Sequence, residues 1–177
     1  MHRMACCLAA VICLLTWSAV AADAATITVY PEQEKGPVNR LLFGSSLLVG
    51  PDTEADHANR GGGVWDPDGK SPVPEYVALS RRLGLGVARW QAASGLSGAD
   101  WRTAVGSLAD RRGRAFGLPE FLTWCRATNT VPLIGLDAHG TTPESAADLV
   151  EYLNVPHAGA NPNGGRDWAA VRVADGH

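Results

Sequence analysis

The residues whose types and positions could do chemistry are few, and they stand where apolar runs end. Arg89 and Trp90 close GVARW, Asp137 and His139 follow VPLIGL, and Ser94 and Trp101 belong to the segment after Trp90. An arginine at the end of such a run either orients a carboxylate through its planar fork or closes a structural ion pair. Asp137 and His139 leave a strand end, where parallel α/β proteins collect ligands and catalytic groups. Equally, the pair can do no more than cap the helix that follows. Trp65 lies in a stretch rich in Gly, Asp and Pro. Its ring either stacks on a sugar or plugs the domain's own surface.

These positions depend on the elements around them, and residues 116–154, FGLPEFLTWCRATNTVPLIGLDAHGTTPESAADLVEYLN, carry the clearest punctuation. Pro119 fits a first helical turn, and Leu118, Leu122 and Cys125 line one face of a helix ending near Asn129. Residues 131–136 are too short for a helix and apolar on both faces, as a parallel strand covered by helices is. Thr142 caps a further helix that Pro143 opens, with Ala146, Leu149, Val150 and Leu153 as its stripe.

Upstream, TITVY at 26–30 alternates as a half-exposed strand does, and 41–50 is a second strand candidate interrupted by Gly44. Residues 51–74 read as one long irregular loop. Pro74 opens a helix with Tyr76, Leu79 and Leu83 on one face and Gly84 as its stop, and 86–90 is the next strand. Strands at 41–50, 86–90 and 131–136 thus alternate with helices at 74–83, 119–128 and 143–153. This is an α/β pattern with a parallel sheet, either doubly wound or an incomplete (β/α) barrel. No GxGxxG joins a strand to a helix, so a dinucleotide or phosphate cradle has little support.

Residues 1–25 combine His2 and Arg3, an apolar core from Ala5 to Val20 and small residues at 22–25, the pattern of a cleaved secretory signal. A retained membrane anchor is the rival reading, against which the run is short for a span and is followed by a cleavable-looking alanine-rich stretch. No later segment is apolar enough to cross a bilayer, so a soluble exported product is expected. Cys6, Cys7 and Cys13 lie in the signal, which leaves Cys125 alone, without a disulfide partner or metal-ligand spacing. The signal contains one Arg and one Asp, so the remainder keeps the net charge of −3. Lysine occurs only at 35 and 70. Arg81 with Arg82 and Arg111, Arg112 with Arg114 read as a helix end and a solvated loop, so nucleic acid is not an expected partner.

In order along the chain, NRLLFGSSLL at 39–48, VARW at 87–90, FGLPEFLTWCRA, VPLIGLDA, TTPESAADLVEYLN and RDWAAVRVADGH at 166–177 resemble one family. The likeness is to the amino-terminal portion of the catalytic barrel of α-L-arabinofuranosidases of glycoside hydrolase family 51, over roughly residues 27–177. It implies the first three units of a (β/α)8 barrel of TIM type, preceded by a short strand, and a domain over 26–177 that stops before the fourth strand. It implies a carbohydrate partner, with no cofactor and no metal. The family's retaining chemistry uses an acid/base Glu in a Gly-Asn-Glu that ends the fourth strand and a nucleophile Glu on the seventh, about 5 Å apart. The sequence contains no Asn-Glu pair.

The family's Arg after its second strand corresponds to Arg89, and Ser94 stands where it has a sugar-binding Asn. Leu48 falls near a sugar-binding Glu, which implies a changed pocket. Arg89, Ser94, Asp137 and Trp65 are the expected substrate-binding residues, with no catalytic residue among them. A non-catalytic carbohydrate-binding module and an inactive remnant are the alternatives.

Overall fold

The structure is a computed structural model that describes residues 25–47, 60–90, 100–111, 113–136 and 140–177. The chain divides into two units, Met1–Pro37 and Val38–His177. In the first, residues 25–37 are exposed, with one turn closed from Gln33 N–H to the Tyr30 carbonyl at 3.0 Å. The strand expected over 26–30 is not formed. Alternation supplies a face, but a strand also needs a ladder partner.

The second unit holds β1 (Gly44–Leu47), β2 (Trp65–Asp66), β3 (Ser71–Pro72), β4 (Val87–Trp90) and β5 (Val131–Ile134). β1, β4 and β5 form a parallel sheet in that order, with Ser46, Arg89 and Leu133 in register and Leu47, Trp90 and Ile134 in the next row. Gly44 marks the closest approach of two strands. A Cβ there would lie 2.7 Å from the Val87 carbonyl oxygen, so any side chain would push β1 off β4. The glycine read as an interruption is what lets the strand pair.

The helices are α1 (Pro74–Arg82), α2 (Leu118–Thr128), α3 (Pro143–Asn154) and α4 (Trp168–Ala174). α2 ends on Asn129 in the left-handed region, φ 57°, a conformation Asn tolerates better than most residues. Thr142 Oγ1 accepts from Ser145 N–H at 3.1 Å to start α3, and Asp167 accepts from Ala170 N–H at 2.8 Å to start α4. α4, unforeseen in the sequence, packs on α3. There Trp168 meets Trp101 at 4.9 Å between ring centres, and Trp101 meets Tyr152 at 5.9 Å.

Two expectations need correction. Residues 60–73, read as loop, form a tight turn at Gly61–Gly63 and the antiparallel β2 and β3 pair. In α1 the stripe of Tyr76, Leu79 and Leu83 faces outward and is exposed. Val77 and Ser80 turn inward instead, and Arg81 Nε donates to the Ala127 carbonyl of α2 at 2.8 Å. Periodicity reports that a helix has an apolar face but not which neighbour takes it.

Among the described residues, one face of the parallel sheet is covered and the other is open. Ala88 and Trp90 are buried, with Leu47 and Ile134 partly so, and Trp90 stacks on Phe121 of α2 at 6.0 Å. On the other face Ser46, Arg89, Val131 and Leu133 are exposed, Leu133 by 51 %.

Candidate functional site

Three parallel strands end together at Leu47, Trp90 and Ile134, which lie side by side along one edge of the sheet. Of the expected site residues, Arg89 lies one residue short of this edge, in register between Ser46 and Leu133 on the open face. Ser94 and Asp137 lie outside the described residues, as do His139 and Leu48.

Trp65 is not available as a stacking platform. It is 5 % exposed, and its ring tilts against Phe116 at 6.2 Å, filling the core beneath the β2 and β3 hairpin. Of the two roles open to it in the sequence, it takes the internal one. A ring that has spent its faces on protein has none left for a sugar.

The structure also assembles polar groups that the sequence left apart. Arg111, read as part of a solvated loop, is 6 % exposed and ion-paired with Glu120 through Nη1 and Oε2 at 2.5 Å. The same Glu120 oxygen accepts from Gly117 N–H at 2.8 Å, tying the loop to the first turn of α2. The available signal was Glu120 three residues into a helix start, the place where a carboxylate returns to the cap. Nothing in the local sequence marked Arg111 as its partner. Asp175, just past α4, accepts from Gly106 N–H at 3.1 Å and from the Tyr152 hydroxyl at 2.9 Å, and burial with this neighbouring carboxylate pushes the Tyr152 phenol up.

Asp110 is held below the usual carboxylate range by the hydroxyl and N–H of Ser107. Cys125 is buried on α2, and desolvation pushes its thiol up to about 11, so it remains a neutral apolar group at physiological pH. Among the described residues no group of three His, Cys, Asp or Glu is placed to hold a metal ion, and no helix is long and apolar enough to cross a membrane.

No protein-family model matches the chain. Over 171 residues, 86 % of the chain, it is 24 % identical to the intracellular exo-α-(1→5)-L-arabinofuranosidase 1 of Bacillus subtilis. Over 162 residues, 81 % of the chain, it is 28 % identical to the exo-α-(1→6)-L-arabinofuranosidase of Bifidobacterium longum. These matches take in 31 % and 28 % of the relatives, so the chain spans about a third of their length. The fold is similar to the solved structure of a family 51 α-L-arabinofuranosidase from Bifidobacterium longum, with a TM-score of 0.59, 19 % identity and coverage of 78 % of this chain and 28 % of that one. The resemblance to part of a family 51 α-L-arabinofuranosidase is therefore present in both sequence and fold.

Proposed function

We propose that these residues form the first three strand and helix units of the (β/α)8 barrel of a retaining glycoside hydrolase acting on arabinofuranosides of plant polysaccharide. The observation that carries this reading is the strand order: three parallel strands laid side by side in chain order, with α1 and α2 between them in sequence. In a closed barrel, the open face with Ser46, Arg89 and Leu133 becomes the interior side, and its ends form the rim where such enzymes bind substrate.

In this reading Arg89 is a positioning residue. Its guanidinium presents a planar pair of donors suited to a carboxylate, and with Ser94 and Asp137 it helps hold the sugar at the rim. Retaining hydrolysis needs a proton donor at the leaving oxygen and a nucleophile across the anomeric carbon. No pair of carboxylates in residues 26–177 matches the family's two Glu, so we assign these residues to binding and none of them to the bond-breaking step.

The test is an assay of purified residues 26–177 with an activated aryl α-L-arabinofuranoside. No turnover is expected. Turnover that disappears in Asp137→Asn would overturn the assignment and make Asp137 catalytic.

We also propose export through residues 1–25, supported by the basic, apolar and small-residue order of that segment. Because one relative is named as intracellular, export would set this chain apart from it. Amino-terminal sequencing of the product is expected to begin near Thr26, and an intact Met1 on a cytoplasmic product would reject the proposal.

A further inference from the structure

A second polar site lies on the helical side of the sheet. The loop 106–111, the first turn of α2 and the end of α4 enclose an open cleft of about 490 Å³, walled by Ser107, Asp110, Arg111, Glu120, Arg166 and Asp175. Its size is within the range of small-ligand sites, roughly 300–1,000 Å³.

Each carboxylate in the wall commits one oxygen to the fold. Asp110 Oδ2 accepts from Ser107 N–H and Oγ–H, Glu120 Oε2 from Gly117 and Arg111, and Asp175 Oδ2 from Gly106 and Tyr152. The second oxygen of each carboxylate is in none of these hydrogen bonds. On the donor side, Arg166 lies in the wall beside Asp110 with its guanidinium 4.8 Å from the centre of the Trp168 ring, and Arg111 lines the same wall with its Nε buried and without a partner.

This mixture selects among ligand classes. An anion would meet three carboxylates, and a cation would meet two guanidiniums. A neutral polyol suits both, because every hydroxyl donates to a carboxylate oxygen and accepts from a guanidinium N–H. α2 joins the parallel strands β4 and β5, so its first turn begins toward the edge where β4 ends. The cleft is thus on the rim side of the sheet.

We infer that the cleft binds one hydroxyl-rich sugar unit, apart from the strand ends, and that it holds an outlying residue of the polysaccharide. The second clause rests on the arabinofuranoside reading.

The experiment is an amide NMR titration of the full chain with α-1,5-arabinotriose, xylotriose and inorganic phosphate, repeated on Arg166→Met, which keeps an apolar stem over Trp168. Expected are shifts at the Gly106, Ser107 and Gly117 amides with arabinotriose, and binding about tenfold weaker in Arg166→Met, the worth of one charge-assisted hydrogen bond. The same shifts with xylotriose but not arabinotriose would uphold the cleft and reject the arabinofuranoside reading. Shifts confined to Arg89, Trp90 and Ile134 would uphold that reading and overturn the cleft. Silence at the cleft amides with both sugars, or a response to phosphate alone, would also overturn it.

Discussion

The two faces of β4 divide the molecule more sharply than any domain boundary. Ala88 and Trp90 point into a finished core, where Trp90 stacks on Phe121, while Arg89 between them is exposed beside Ser46 and Leu133. Four consecutive residues, VARW, therefore serve two different purposes. The covered face has its partners within the described chain and supplies the stability. The open face has a cation at its centre and apolar neighbours, Val131 and Leu133, that are still exposed. Exposed apolar groups around a charged one suit a surface that another layer completes, and they add little to the fold of these residues alone.

The largest expected effect tests that asymmetry. Phe121→Ala removes a fully buried ring from the covered face and should cost about 3–5 kcal/mol. Leu133→Ala on the open face should stay within about 0.5 kcal/mol, as surface changes do. Urea denaturation of the two variants gives the comparison directly. Similar losses from both would mean that the open face is covered in solution and the asymmetry is false. The open face also predicts association: Leu133, exposed on β5, which has no outer partner among the described strands, and Leu136 just beyond it should make the chain aggregate or bind hydrophobic dye. A monomer that binds no dye would count against an uncompleted sheet.

The covered face was the legible part of the sequence. The stripe of α2 carries its own periodicity, and Thr142 with Pro143 marks a helix start. VPLI was legible as a strand, but not as an edge: it was expected to be covered by helices on both faces, whereas Val131, Pro132 and Leu133 are exposed and only Ile134 is partly buried, because β5 ends the sheet among the described strands. What escaped reading depends on partners distant in sequence. Residues 26–30 alternate correctly yet pair with none of the described strands, Tyr76 and Leu79 form a good stripe that points outward, and Arg111 is buried because Glu120 is there to receive it. At the candidate site, the position of Arg89 near a strand end was legible from the apolar run it closes. Trp65 was not, because an aromatic in a glycine-rich stretch looks the same whether its ring faces a ligand or Phe116.

A medium effect sharpens the role of the Arg111 and Glu120 pair, which joins the loop to the covered side. Glu120→Ala leaves the buried Arg111 without its counter-ion and should cost about 3 kcal/mol, since an uncompensated buried charge is worse than no charge. Adding Arg111→Leu should recover much of the loss. If the double variant is as unstable as the sum of both single ones, the pair is not coupled and Arg111 is held by packing alone.

The smallest effect concerns His177, which docks the end of the described chain onto α2. Its Nδ1 lies 2.9 Å from Arg126 Nη2, and a guanidinium can only donate, so Nδ1 accepts and the ring is neutral. The proton then sits on Nε2, which donates to the Pro119 carbonyl at 2.9 Å and has the Thr123 hydroxyl at 3.3 Å. Burial, with the adjacent Arg126 charge, lowers the His177 pKa below its ordinary value of 6.5, although the Pro119 carbonyl, Asp175 and Glu120 pull the other way. A depressed folded pKa contributes stability above the unfolded value, and that contribution is lost as the pH falls through the folded one. The latch should therefore hold at pH 7.5 and weaken on acidification, by no more than about 1 kcal/mol, the net worth of the hydrogen bond broken. His177→Gln keeps an acceptor and a donor but cannot be protonated, so its stability should fall less between pH 7.5 and pH 5 than that of the unmodified chain. Parallel stability curves for the two over that interval would show that His177 does not titrate against Arg126, and would remove the latch.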